Sequence, residues 1–181
     1  MPGVDFRRVP VSEKDVFTQY FQTYLAELAQ LNGVRPGRHG LYEYGLYDLY
    51  WLDERFVPFF VERDRLRVGL LLLREVGADE SPDGQPSLQV AEISVFRPHR
   101  MRGIGREAIR FAAKAAEDRG MPLTWSAYMN NDPANALYES ILKEFAAKNG
   151  AWSAVRSRGV DVSGLARFYY RMTPAATGSG K

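Results

Sequence analysis

Apolar residues recur with two different periods along the chain, and each change of period marks a predicted strand or helix. A loose alternation over Val4–Val9 predicts a first strand. Apolar residues then recur every three or four positions from Phe17 to Leu31, as one face of a helix requires. Ser12 is the predicted N-cap of this helix, and Gly33 and Pro36 end it.

The rest of the chain continues as short strands and amphipathic helices. Predicted strands cover Phe56–Val61, Leu66–Val76, Ser87–Phe96, Leu123–Tyr128, Trp152–Arg156 and Arg167–Met172, with a polar hairpin loop at Glu62–Arg65. Predicted helices cover a short stretch within Gly40–Asp53, then Gly103–Arg119, and a segment that ends at Asn149-Gly150. This last helix starts at Asp132-Pro133, with Asp132 as its predicted N-cap and Pro133 at its first position. The order β-α-α-β-β-β-α-β-α-β-β predicts one α/β domain over residues 1–173 and a flexible tail over residues 174–181.

Composition excludes several classes of site. The absence of cysteine excludes disulfide scaffolds, zinc sites with thiolate ligands and cysteine nucleophiles. Two distant histidines and scattered carboxylates give no metal-ligand spacing, so we expect no metal. The longest apolar run, Val68–Leu73, is too short to span a bilayer, and the amino terminus lacks a signal-peptide pattern. We therefore expect a soluble, cytoplasmic protein that does not bind a membrane.

Positive charge is concentrated in one segment although the net charge is small. A formal net charge of +2 argues against a general nucleic-acid binder. Between Arg97 and Arg110, however, the chain carries five arginines and His99 against one carboxylate, Glu107. This concentration predicts an anionic partner docked at one place, and a solvated helix surface is the alternative interpretation.

The same segment has the pattern of a phosphate-binding turn. A strand runs into a turn that contains Gly103 and Gly105 and opens a helix, whose first N–H groups lack intrahelical partners and bind anions. Glycine lets the anion approach the backbone, and Arg100, Arg102 and Arg106 add positive charge. The segment lacks the third glycine of the dinucleotide fingerprint and the Gly-Lys-Ser/Thr of a P-loop.

Three features together resemble the GNAT superfamily of N-acetyltransferases. Arg100-Met101-Arg102-Gly103-Ile104-Gly105 is similar to its Gln/Arg-x-x-Gly-x-Gly/Ala signature, and Asn131, Ala134, Leu137 and Tyr138 are similar to its Asn-x-x-Ala-x-x-Leu-Tyr pattern. The predicted order of elements over residues 4–172 is the third feature. The resemblance implies the GNAT fold, a central mixed, mostly antiparallel twisted sheet of about seven strands flanked by about four helices.

The resemblance also implies an activity and a coenzyme site. The implied reaction moves an acetyl group from acetyl-CoA to a primary amine of a small molecule or peptide, by direct attack on the thioester and without a metal. Backbone N–H groups of the turn would hold the pyrophosphate, the backbone at Val95 would hold the pantetheine arm, and Asn131 would also contact it. Asn130 and Asn135 are rivals for that last role. The implied coenzyme-binding residues are Val95, Arg100, Met101, Arg102, Gly103, Ile104, Gly105, Arg106 and Asn131.

Two residues are candidates for the proton transfers. The resemblance makes Tyr138 the general acid that protonates the departing thiolate, whereas a tyrosine on an amphipathic helix is ordinarily half-buried core. Glu92 is the candidate general base, and its alternatives are a solvent-facing carboxylate or a partner of Arg97. His39 is a weaker candidate base, and His99 is interpreted as a phosphate neighbour or a surface residue.

The acceptor side is the least defined part of the sequence. Tyr44, Tyr47, Asp48 and Trp51 share one predicted helix face, and aromatic walls with carboxylates suit a cationic amine. These side chains equally suit packing on the sheet or a homodimer contact. The last helix is about two turns longer than is usual in the family, which reshapes the acceptor site or creates a subunit contact. A non-catalytic acyl-CoA-binding or regulatory module is the alternative function.

Overall fold

The computed structural model describes residues 3–81, 83–147 and 151–175. Within these residues the chain forms seven strands and four α-helices in the predicted order. The strands are β1 (Asp5–Arg8), β2 (Phe56–Arg63), β3 (Leu66–Val76), β4 (Ser87–Val95), β5 (Leu123–Tyr128), β6 (Trp152–Val160) and β7 (Ala166–Pro174). The helices are α1 (Lys14–Asn32), α2 (Leu49–Leu52), α3 (Ile104–Glu117) and α4 (Asp132–Ala146), with 3-10 helices at Val11–Glu13 and Arg97–His99.

The strands form one open, mixed sheet in the order β1-β2-β3-β4-β5-β7-β6. Four neighbouring pairs are antiparallel, namely β1/β2, β2/β3, β5/β7 and β6/β7. The β4/β5 pair is parallel, with Leu88 opposite Leu123. This architecture confirms the predicted mixed, mostly antiparallel sheet flanked by four helices.

The chain groups into two compact units, and the first consists of the residues up to Arg74 together with Ala91–Ala108. Its core forms where α1 packs its apolar face against β2 and β3. Phe17, Phe21 and Leu25 are buried at successive helical turns, and the Phe17 ring lies 5.3 Å from that of Phe60. The three-and-four spacing of the sequence therefore marks the face of α1 that is buried.

The second unit consists of Glu75–Val90 and the residues from Ile109 onward. Its helix α4 buries Ile141 and Phe145, and the Phe145 ring contacts that of Trp152 edge to face at 5.5 Å.

Asp161 lies in the β6–β7 loop, where burial disfavours its charged form and so acts to raise its pKa. Hydrogen bonds from Ser163 and Arg167 outweigh that effect and hold the pKa of Asp161 well below its usual range. The assignment of residues 1–173 to one domain stays a prediction.

Both predicted helix caps differ from those in the structure. Ser12 lies in the 3-10 helix, and Glu13 precedes α1 without a side-chain cap. The Glu13 carboxylate instead accepts hydrogen bonds from Arg7 at 2.8 Å and Arg67 at 2.6 Å, because these arginines reach it from β1 and β3. The N-cap of α4 is Asn131, whose Oδ1 accepts from the Ala134 N–H at 3.4 Å, and Asp132 is already helical.

Several predicted boundaries also move. The loop between β2 and β3 shrinks to Asp64-Arg65, whose φ angles of 53° and 63° form a tight hairpin turn. The second helix is one turn long, because residues 45–48 form turns before Leu49. Strands β6 and β7 are longer than predicted, since they pair along their whole length from Trp152 to Pro174. The predicted helix end at Asn149-Gly150 and residues 176–181 of the tail lie outside the described residues.

Candidate active site

The segment between β4 and α3, residues 96–103, forms what we call the β4–α3 turn. It contains the 3-10 helix Arg97–His99 and leads directly into α3 at Ile104. The Glu107 N–H donates to the Gly103 carbonyl at 3.1 Å, so the N–H groups of residues 104–106 precede the intrahelical hydrogen bonds. With the partial positive charge of the helix terminus, these groups suit an anionic ligand such as a pyrophosphate.

The backbone of this turn is left-handed at two residues. Gly103 has a φ of 79°, and a β-carbon built there meets no atom within 4 Å. Met101 has a φ of 61° although it is not glycine, and its side chain is fully exposed. A left-handed conformation costs a non-glycine residue about 1–2 kcal/mol. The turn therefore holds strained backbone at Met101 and leaves open space beside Gly103.

The arginines of the turn do not all serve the same role. Arg97 Nε donates to Glu27 Oε1 at 2.8 Å, and the Arg100 guanidinium donates to Glu27 Oε2. Arg100 Nε also donates to the Val95 carbonyl at 2.7 Å. Arg102 is exposed on the turn, and Arg106 is partly exposed in the first turn of α3. The predicted positive cluster is thus partly neutralised by Glu27, a carboxylate that was not among the predicted site residues.

Burial and hydrogen bonding shift the pKa of Glu27 in opposite directions. Burial raises its pKa, but the hydrogen bonds from Arg100 and Arg97 outweigh that effect and hold the pKa below its usual value. The carboxylate is therefore charged at neutral pH. The sequence holds one indication of this role for Glu27. It follows Tyr20 by seven residues and therefore lies on the same face of α1.

The exit of β4 is held close to β3. A β-carbon at Gly69 would lie 2.3 Å from the Ser94 carbonyl oxygen, so glycine permits an approach that any other residue would prevent. The Phe96 N–H donates to the Val68 carbonyl at 2.9 Å, and the Phe96 ring stacks on Tyr20 with centroids 5.1 Å apart. The start of the β4–α3 turn is thus fixed from both the sheet and α1.

Glu92, the candidate base, lies half-buried on β4 among tyrosine hydroxyls. The Tyr24 hydroxyl donates to Glu92 Oε2, and Tyr44 also hydrogen-bonds this carboxylate. Burial, followed by the charge of Glu92, raises the pKa of Tyr44 far above its usual value, so this phenol stays protonated. Tyr24 falls within the apolar stripe predicted from Phe17 to Leu31. A phenol on such a stripe commonly has a polar partner, which is the signal that could have identified it.

The structure separates the four candidate acceptor residues. Tyr44 contacts Glu92, whereas Tyr47, Asp48 and Trp51 surround the ammonium group of Lys14. Lys14 Nζ lies 2.9 Å from Asp48 Oδ1 and 5.8 Å from the centroid of each ring. The expected pairing of aromatic walls and a carboxylate with an amine is therefore present, and the amine is the chain's own Lys14.

Tyr138, the candidate acid, lies in the second unit and is 5% exposed. Its ring contacts those of Trp125 and Tyr170, with centroids 5.8 and 5.3 Å away. The Tyr170 hydroxyl donates to Asn135 Oδ1 at 2.9 Å, and Asn135 Nδ2 donates to the Tyr128 carbonyl at 3.0 Å. Asn135 therefore ties α4 to the end of β5.

The three asparagines that were rivals for the pantetheine contact occupy different places in the second unit. Asn131 caps α4, Asn135 is buried on that helix, and Asn130 lies in the turn before it. The cap uses the Asn131 side-chain oxygen. A pantetheine contact from Asn131 stays a prediction.

The two histidines lie in loops of the first unit. His39 accepts from Arg38 Nε at 2.9 Å in the segment before α2, and His99 ends the 3-10 helix of the β4–α3 turn. Among the residues that the structure describes, no three histidines or carboxylates form a group that could hold a metal ion. In the same ranges no helix is long and apolar enough to cross a membrane.

Sequence comparison connects the chain with a known family. The sequence model of the acetyltransferase (GNAT) family matches residues 21–142, which include the β4–α3 turn, Glu92 and Tyr138. No curated protein matches the chain.

Solved structures share the fold over nearly the whole chain. An acetyltransferase from Thermus thermophilus is 21% identical with a TM-score of 0.61, covering 95% of this chain and 99% of its own. The ribosomal-protein-S18-alanine N-acetyltransferase from Escherichia coli is 14% identical with a TM-score of 0.59, covering 99% of both chains. Arabidopsis thaliana NAA60, solved in complex with acetyl-CoA, is 16% identical with a TM-score of 0.62, covering 96% of this chain and 100% of its own.

Proposed function

Because the chain belongs to the acetyltransferase (GNAT) family, we propose that it transfers an acetyl group from acetyl-CoA to a primary amine of a small molecule or peptide. The observation that carries this proposal is the β4–α3 turn, whose open backbone at Gly103 leads into the start of α3. A pyrophosphate fits this arrangement, because three consecutive N–H groups precede the helical hydrogen bonds and Arg102 and Arg106 add positive charge.

The coenzyme-binding residues of the proposal divide into backbone and side-chain groups. The N–H groups of residues 102–106 bind the pyrophosphate, and the backbone at Val95 binds the pantetheine arm. The Val95 carbonyl already accepts from Arg100 Nε at 2.7 Å, and its second lone pair can accept another donor. Asn131 adds a contact to the pantetheine, which its capping role does not exclude, because its amide nitrogen is a separate donor.

Acetyl-CoA supplies an acetyl group activated as a thioester. The neutral amine of the acceptor attacks the carbonyl carbon, the carbon–sulfur bond breaks, and the amide forms. Glu92 accepts the proton that the amine loses, directly or through water, while Tyr24 and Tyr44 orient the carboxylate. Tyr138 gives a proton to the departing sulfur, because a phenol with an ordinary pKa of about 10 is still protonated at neutral pH. Water then returns a proton to the Tyr138 phenolate, and Glu92 releases to water the proton that it accepted.

The acceptor of the proposal is a cationic amine near Tyr44 and Glu92. The carboxylate and the tyrosine rings favour an ammonium group, which must lose a proton before it attacks. The three other candidates, Tyr47, Asp48 and Trp51, contact Lys14, so we expect them to shape the acceptor side rather than bind the amine directly. A cytoplasmic location and a homodimer stay predictions.

The test is the release of free thiol from acetyl-CoA in the presence of polyamines, amino acids, aminoglycosides or peptides. We expect at least one class of amine to accelerate thiol release. Tyr138→Phe should lower turnover while CoA still binds, because the phenyl ring keeps its contacts with Trp125 and Tyr170. Tyr169→Phe is the matched control, since Tyr169 is on β7 and its ring lies over Gly159 of β6. CoA binding without thiol release for any amine would instead support a non-catalytic acyl-CoA-binding module.

A further inference from the structure

One carboxylate joins two arginines of the β4–α3 turn to α1. Glu27 Oε1 accepts from Arg97 Nε at 2.8 Å, and its Oε2 accepts from the Arg100 guanidinium. Arg97 begins the 3-10 helix of the turn, and Arg100 follows its last residue. Glu27 therefore bridges the two ends of this short helix.

Two further contacts make the attachment continuous. The Tyr20 ring, on the same face of α1 as Glu27, stacks on Phe96 with an angle of 10° between the ring planes. Arg100 Nε donates to the Val95 carbonyl at 2.7 Å, which ties the turn back to the last residue of β4. The turn is thus held at Phe96, Arg97 and Arg100, all on the β4 side of its strained residues.

We propose that Glu27 is a positioning residue for coenzyme binding, which fixes the β4–α3 turn in the conformation that presents its N–H groups to the pyrophosphate. This inference rests on the proposed function. Met101 and Gly103 follow the attached segment with φ angles of 61° and 79°, and such a conformation persists only where the surrounding structure holds it. A turn without this attachment would populate other conformations and bind the anion less well.

Glu27 also has an opposite effect, because its negative charge partly neutralises two arginines near the anion. That effect is the smaller one. The side chains of Arg97 and Arg100 are 66% and 44% exposed, so water and salt screen their attraction to a phosphate. Fixing the backbone does not suffer this screening, since it acts through the geometry of the N–H groups.

The test is Glu27→Gln in the full chain, with CoA affinity measured by calorimetry and steady-state kinetics measured beside it. Glutamine keeps one acceptor oxygen and turns an amide N–H2 group toward the other guanidinium, so one of the two bonds is lost. We expect the Kd for CoA and the KM for acetyl-CoA to rise about three- to tenfold, with kcat unchanged. Arg97→Gln, which breaks the same contact from the other side, should act in the same direction.

Glu144→Gln is the matched control. Glu144 is also a largely buried glutamate that accepts from an arginine, Arg110, at 2.8 Å. Glu144→Gln should lower the free energy of unfolding about as much as Glu27→Gln does and leave the Kd for CoA unchanged. Unchanged or tighter CoA binding by both Glu27→Gln and Arg97→Gln would overturn the inference while the proposed function stands. Failure of the wild-type chain to bind CoA would overturn both.

Discussion

Replacing Gly103 by alanine tests the coenzyme site at the β4–α3 turn. The φ of 79° makes alanine unfavourable there by about 1–2 kcal/mol. A β-carbon at this position meets no atom within 4 Å, so the protein itself adds no steric penalty. In a chain of this size, 1 kcal/mol corresponds to about 2–4 °C in Tm. The variant should therefore fold, with a Tm lowered by about 2–8 °C.

The effect on binding is separate and can be measured as the stabilisation by CoA. At a CoA concentration about 100 times the wild-type Kd, binding stabilises the native state by about 2.7 kcal/mol. The new methyl group would occupy the open space where we place the pyrophosphate. If it weakens binding tenfold, the stabilisation falls to about 1.4 kcal/mol. The CoA-dependent rise in Tm should thus be halved, as read in thermal melts with and without CoA.

Gly120→Ala provides the control for backbone strain. Gly120 has a φ of 62°, and a β-carbon there also meets no atom within 4 Å. It follows the carboxyl end of α3, whereas Gly103 precedes the amino end. The control should lose a similar amount of stability and keep the full rise in Tm with CoA. A full rise in Gly103→Ala as well would refute the assignment of the turn to the pyrophosphate.

Three further substitutions test the rest of the site and the second unit. Tyr24→Phe should lower kcat severalfold with an unchanged Kd for CoA, because the Glu92 carboxylate loses a hydroxyl donor. Tyr170→Phe should lower the free energy of unfolding by about 1–3 kcal/mol in denaturant titrations, because buried Asn135 Oδ1 loses its donor. For Asp161 the pKa is lower in the folded than in the unfolded chain, so its charge stabilises the fold above about pH 4. The stability difference between wild type and Asp161→Asn should therefore be constant from about pH 5 to 8, decline progressively below about pH 4, and be lost only as the pH falls through the lower pKa of the folded chain.

Each of these three predictions has an outcome that contradicts it. Wild-type turnover in Tyr24→Phe would show that its hydroxyl does not orient the base. An unchanged unfolding midpoint in Tyr170→Phe would mean that water replaces the lost donor. A stability difference for Asp161→Asn that does not shrink as the pH falls from about 4 to 2 would show that the carboxylate charge is not its source.

Local sequence patterns predicted the bounds of a strand or helix well where a single local signal sets those bounds. Strand β5 runs from Leu123 to Tyr128 as predicted, because a short β-rich run is bounded by Pro122 and a turn. The caps were predicted less well, since Ser12 and Asp132 compete with neighbours for the same role. Glu13 is held by Arg7 and Arg67, and Asn131 already caps α4, so tertiary and neighbouring contacts decided both.

The turn that we assign to the coenzyme follows from local sequence alone. Its glycine, its arginines and the helix that follows are contiguous, and the conformational freedom of glycine and the N–H groups of a helix start are local properties. By contrast, the side chains that support this turn and the candidate base are set by contacts between residues far apart in the chain. Tyr24 meets Glu92 across 68 positions, and Glu27 meets Arg97 and Arg100 across 70 and 73. Such pairs form because α1 packs beside β4, and a local pattern carries no information about which of its polar residues will face another element.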